Sequence, residues 1–167
     1  QNSPELFILE KTVDKGYLIA DVKLEFDNEG KIKKNYEIDG FIKDAKLSLL
    51  KKYNIQKLDL IFNYKKDNLI LGDISFSLNK LNFLSEKVSF TKIKKNFFID
   101  GKINNKILVV SKNNLDLFIK PFISKYNIET FKFSSNNSFS FRVNKKLELD
   151  NFEIESDMLV EELSIIN

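Results

Sequence analysis

The chain has 167 residues and a mass near 19.5 kDa, enough for one cored domain or for a slice of a longer repetitive protein. Hydrophobic residues are 43% and charged residues 31%, which argues against a wholly disordered chain, and the absence of His, Cys and Trp removes Ser-His-Asp and Cys-His catalysis, thiolate chemistry, Cys/His zinc sites and disulfides. The net charge of +3 comes from 27 basic and 24 acidic side chains that interleave, with a single arginine, Arg142; a nucleic-acid partner is not expected, because such binders gather Arg and Lys on one face.

Composition is skewed as well. Lys (26), Asn (19), Ile (19), Phe (16) and Tyr (5) make up about half the chain. All five have A/T-rich codons, so an Asn-Lys pair is a weak loop signal here and a Phe a weak sign of a special aromatic site. No apolar run reaches the length of a membrane-spanning helix, and Gln1 to Leu9 lacks the basic start and cleavage site of a signal peptide. The chain begins at Gln1 rather than Met. It is therefore expected to be a processed or excised piece, with any anchor lying outside it.

Along the chain the dominant period is two. Leu18, Ala20, Val22, Leu24 and Phe26 alternate with Asp21, Lys23, Glu25 and Asp27. The same pattern recurs through Ile32 to Ile42, Leu58 to Tyr64, Ile74 to Leu78, Phe97 to Ile103, Phe131 to Phe133 and Phe139 to Val143. Such segments are strands with one apolar and one polar face, and many short ones imply an antiparallel sheet. Asp27-Asn28-Glu29-Gly30, Lys65-Lys66-Asp67-Asn68 and Ser134 to Asn137 read as hairpin loops. About ten to twelve strands of roughly 5–10 residues in meander order are expected. One segment departs from this pattern: Leu115, Phe118, Ile119, Phe122, Ile123 and Tyr126 follow helical spacing, which predicts one short helix over about 114–126, kinked at Pro121.

Four pairs of phrases recur in the same order. Tyr36 to Ile42 resembles Phe97 to Ile103, Lys52 to Ile55 resembles Lys125 to Ile128, Leu69 to Phe76 resembles Leu147 to Ile154, and Phe83 to Phe90 resembles Met158 to Ile165. The spacing jumps where the helical segment lies. The whole chain, 1–167, is accordingly read as one segment of a longer repetitive β-protein, with repeat units 36–90 and 97–165 and the helix as an insertion.

Carboxylates such as Asp21, Glu25, Asp59 and Glu148 fall on polar parity, where solvated charge belongs, rather than in a facing pair suited to glycoside hydrolysis. Asp27 to Gly30 lacks the spaced ligands of a calcium loop. No phosphate loop or dinucleotide motif is present. No enzyme activity, cofactor or metal is expected. Gly40 and Gly101 stand on apolar parity and mark a bulge, a bend or a notch in the apolar face.

The alternating strands, the glycine step in Tyr36 to Ile42, the phrase Leu69 to Phe76 with its echo at Leu147 to Ile154, and the strand entering a turn at Val22 to Lys31 together resemble the AsmA-like superfamily of bacterial envelope proteins, over roughly residues 15–166. The resemblance implies a mainly β fold, a curled antiparallel meander forming a β-trough. It also implies a passive phospholipid-transport segment in the periplasm, anchored in the inner membrane through a region outside this chain. Phospholipid acyl chains are then the expected partners. The expected groove lining is Leu24, Phe26, Ile38, Leu60, Phe62, Phe76, Phe97, Ile99, Phe131 and Phe141. Two other readings share the alternation: a structural or interaction β-sandwich with a closed core and no ligand, and a jellyroll of the lipopolysaccharide-bridge type.

Overall fold

A computed structural model describes residues 13–33, 35–49, 53–94, 96–112, 128–144 and 148–165. Eight strands follow one another: β1 (Val13–Lys23), β2 (Glu37–Leu49), β3 (Tyr53–Lys65), β4 (Asn68–Leu78), β5 (Leu81–Ile93), β6 (Asn96–Ser111), β7 (Ile128–Val143) and β8 (Leu149–Ile165). Each pairs antiparallel with its neighbours in sequence, so one sheet runs in the order β1 to β8. Strands that are not consecutive make no contact. The sheet is therefore an open meander, at most weakly curled, and the expected mainly β, antiparallel class holds. β1 and β8 make no contact, so the sheet does not close into a barrel. The helix expected over 114–126 lies outside the described residues.

The strands are fewer and longer than the periodicity predicts, at 11–17 residues. The reason is a recurring slip of register. Ile42 and Ala45 both face one side with two residues between them, opposite Leu60 and Leu58 with only one residue between. A β-bulge of this kind skips one residue and returns the next apolar side chain to the same face. The same three-residue step separates Ile55 from Leu58, Leu71 from Ile74, Ser85 from Val88, Asn105 from Leu108 and Val160 from Leu163. Asp44, Lys57 and Asp73 occupy three of these steps with positive φ of 48°, 52° and 47°. Read as parity alone, each bulge looks like the end of a strand, and one strand is counted as two. The bulges fall at neighbouring positions on successive strands and so form a band across the sheet. They also raise local twist and bend each strand there. One bulge is pinned by a side chain, since the Asp44 amide donates to the Asp59 carboxylate at 2.7 Å.

The turns follow local chemistry. Asp27 Oδ1 accepts the amides of Glu29 and Lys31, the Gly30 amide donates to the Asp27 carbonyl, and Gly30 has φ of 78°, as expected for a hairpin tip. Lys66 and Asp67, with φ of 47° and 66°, form the two-residue turn between Lys65 and Asn68. Asn79 and Lys80 form another, with φ of 49° and 71°. Ser134 to Asn137 is not a turn but the middle of β7. Ser and Asn favour turns when their side chains bond local backbone; here Ser135 and Asn137 bond neighbouring strands instead.

Gly40 and Gly101 occupy matching settings. Gly40 is opposite Phe62, and a Cβ there would meet the Ile19 carbonyl oxygen and lie 2.6 Å from the Phe62 ring. Gly101 is opposite Phe139, and a Cβ would lie 2.9 Å from that ring and 2.9 Å from Val88. In each case a phenyl ring fills the space that a side chain would take. Gly40→Ala is expected to cost about 1–3 kcal/mol. Gly101→Ala should cost less, because the carbonyl it meets, that of Lys87, lies farther off at 3.0 Å and the ring and methyl beside it can shift. Urea unfolding of the two variants measures the difference.

Candidate functional site

The register places the apolar residues on one face. Gly40 pairs with Phe62, Phe62 with Leu71, Leu71 with Val88, Val88 with Gly101, and Gly101 with Phe139. Of the ten residues expected to line a groove, Ile38, Leu60, Phe62, Phe76, Phe97, Ile99, Phe131 and Phe141 lie on this face by register and alternation. Leu60 is 7% exposed, while the other seven are half-buried. Leu24 and Phe26 do not join them. β1 ends at Lys23, and Phe26 makes an isolated bridge to Ile32 in the β1–β2 connection, so both side chains are exposed. Alternation alone continues through this hairpin and does not reveal that pairing with β2 has ended.

The tightest packing lies along the middle of the face. Ala45, Leu58, Leu60, Ile74 and Val88 form one buried cluster. Leu81, Leu108 and Val110 form a second, flanked by Phe83, Ile128, Phe131 and Phe133. Phe76 stacks on Phe83 at 5.4 Å between ring centroids. Sequence reasoning passed over Ala45, Ile74, Val88, Leu108 and Val110 as lining residues. The available signal was the three-residue step beside each bulge.

A polar seam crosses the same face between the clusters. Ser85, Asn105 and Ser135 are buried to 3%, 6% and 5% exposure. Ser135 donates to Asn105 Oδ1, and Asn105 Nδ2 donates to the Lys106 carbonyl at 2.8 Å. Asn137 Nδ2 donates to the Ile103 carbonyl and to Ser135 Oγ, each at 2.9 Å, and Ser156 donates to Asn137 Oδ1 at 2.6 Å. These bonds satisfy polar groups where a bulge interrupts the ladder. Asn105→Ala should cost about 1–3 kcal/mol, because it leaves the Ser135 hydroxyl proton without its acceptor. Ser135→Ala combined with Asn105→Ala should cost less than the sum of the two single changes, and a double-mutant cycle read by chemical unfolding measures that coupling.

The opposite face is polar over most of its area. Glu37 bonds Lys65 at 3.1 Å, and Asn63 donates to both Glu37 and Asp39. The Lys65 hydrogen bond holds the Glu37 carboxyl below its ordinary value of 4.5. Glu25, bonded by Asn35 and Lys33, is held low in the same way. A carboxyl lowered in the folded state contributes stability above its unfolded pKa and loses it as pH falls through the folded one. Glu37→Gln should therefore flatten the fall in stability with acidification below about pH 4.5, and unfolding midpoints across that range test it. Asp59 and Glu148 also have structural partners: Asp59 holds the bulge, and Glu148 accepts from Asn144 Nδ2 at 2.6 Å.

Among the described residues no group of three or more Asp or Glu side chains is placed to hold a metal, and no helix is long and apolar enough to cross a membrane. A depression of about 370 Å³ beside Arg142, Ile93, Asn96 and Phe98 opens on the polar side and is not the expected groove. The apolar face is a broad surface rather than a walled cavity. No family model, curated protein or solved structure matches the chain.

Proposed function

We propose that the apolar face of this sheet holds acyl chains of phospholipid, and that the chain is a passive segment of a lipid-transport bridge in the bacterial envelope. The observation that carries the reading is a largely apolar face, crossed by the polar seam, on a single-layer sheet with no second layer over it among the described residues. Phe62, Phe76, Phe97, Ile99, Phe131 and Phe141 remain half-buried there. A half-buried apolar face of this kind supports a binding surface. The closed-sandwich alternative needs a second sheet, and the described strands supply one sheet only. The periplasmic setting, inner-membrane attachment outside this chain and the choice of phospholipid rest on the AsmA-like resemblance.

The mechanism needs no hydrolysis in this segment. Each methylene laid against the face gains about 0.8 kcal/mol, and neighbouring positions offer similar gains, so a chain is held yet slides. The polar seam gives neutral donors and acceptors part-way along the face.

The test is lipid recovered with the purified protein, read by mass spectrometry. Phe97→Asp and Phe141→Asp should abolish recovery while circular dichroism keeps its sheet signal, because a half-exposed carboxylate stays hydrated but repels an acyl chain. Leu60→Asp is a poor probe, since its buried position should unfold the sheet. Equal lipid recovery in the Phe97 and Phe141 variants, or none in the parent protein, would overturn the reading.

A further inference from the structure

Phe98 and Ile93 break the pattern of the polar face. Phe97 and Ile99 belong to the apolar face, so Phe98 between them points to the other side, opposite Thr91 on β5 and Arg142 on β7. Ile93 pairs with Asn96 at the β5–β6 hairpin, shares that side by alternation and is 56% exposed. With Asn96 and Arg142, these two side chains line a depression of about 370 Å³. It sits on β5, β6 and β7, each of which has a strand on both sides. Arg142 is the chain's single arginine. Its side chain is exposed and makes no ion pair or hydrogen bond among the described residues, although Asp150 stands opposite on β8. Asp100, further along β6, lies on the side away from the hairpin, opposite Ser140. Towards the hairpin the charge is positive. Lys92-Ile93-Lys94-Lys95-Asn96 has three lysines and no acid, and the β7–β8 connection at the same end of the sheet adds Lys145 and Lys146 against Glu148. Lys92 is paired with Asp67 at 3.4 Å, and Glu148 is bonded by Asn144.

We infer that this depression binds an organic phosphate whose phosphoryl group carries an apolar substituent. The planar guanidinium fork of Arg142 matches two phosphate oxygens, which a lysine ammonium cannot do. Asn96 adds an amide donor beside it, and the lysine-rich hairpin raises the local concentration of anions. Ile93 and Phe98 give the substituent an apolar floor, so inorganic phosphate would use the charge and leave that floor wet. Asp100 and Asp150 disfavour an anion on their own sides and turn the phosphoryl group towards the hairpin. A lipid headgroup and a soluble phosphate ester share this chemistry. The inference does not rest on the acyl-chain reading, because Phe98 and Arg142 lie on the opposite face from Phe97 and Phe141.

The probe is hexyl phosphate, titrated calorimetrically against methyl phosphate, inorganic phosphate and hexyltrimethylammonium. Hexyl phosphate should bind about tenfold more tightly than methyl or inorganic phosphate, since each added methylene that is covered gains up to about fourfold. The cationic amphiphile should not bind. Arg142→Gln should weaken hexyl phosphate by at least about tenfold, and Arg142→Lys should not restore it, because the fork is lost though the charge remains. Phe98→Ala should narrow the gap between hexyl and methyl phosphate. Lys80→Gln, an equal loss of charge at the β4–β5 turn, should change nothing, and circular dichroism checks that every variant keeps the sheet. Amide shifts on titration should centre on Ile93, Asn96, Phe98 and Arg142. Displacement of hexyl phosphate by vesicles containing phosphatidic acid assigns the site to a lipid headgroup, and displacement only by soluble esters assigns it to those. Equal binding of hexyl and methyl phosphate, equal binding of the cationic amphiphile, or parental affinity in Arg142→Gln would overturn the proposal. So would shifts centred on the apolar face around Leu60 and Phe76, an outcome that leaves the acyl-chain reading standing.

Discussion

The structure depends on keeping apolar side chains on one face of a single sheet. With no second layer among the described strands, burial comes only from neighbours on the same face. A strand that loses parity would turn its apolar residues to water. The bulges prevent that. At Ile42 to Ala45, Ile55 to Leu58 and Leu71 to Ile74, one extra residue restores the inward set, and Ala45, Leu58 and Ile74 become part of the buried cluster. The packed middle of the sheet lies where the register slips.

That arrangement leaves the periphery of the face half-covered. Phe97 and Phe141 stay half-buried although Phe97 stands opposite Val143 and Phe141 opposite Ile99, while Leu58 and Leu60 belong to the buried cluster. The face offers hydrophobic area without direction, which is what the proposed acyl-chain ligand would use. The polar seam through Asn105 and Ser135 lets buried hydroxyl and amide groups cross an apolar surface without losing their hydrogen bonds.

The four recurring phrases take different positions in the fold. Gly40 and Gly101 lie on β2 and β6, each beneath a phenyl ring from the following strand. Leu69 to Phe76 and Phe83 to Phe90 lie on separate strands, β4 and β5, whereas the described parts of their echoes run along β8 alone. The difference is the Asn79-Lys80 turn, whose positive φ values reverse the chain. β8 contains no such turn and runs straight on to Ile165.

Alternation in the sequence was enough to determine the antiparallel class, the inward parity of Leu58, Leu60 and Phe62, and the hairpin tips at Asp27 to Gly30 and Lys65 to Asn68, because each follows from the two-residue period or from side chains bonding their own backbone. Strand length, the exclusion of Leu24 and Phe26 from the face, and the place of Ser134 to Asn137 inside β7 were decided by tertiary pairing. A bulge and a strand end both interrupt alternation, and a Ser/Asn run suits a turn as well as a cross-strand network. Only the neighbouring strand, by accepting or refusing the hydrogen bonds, separates these cases.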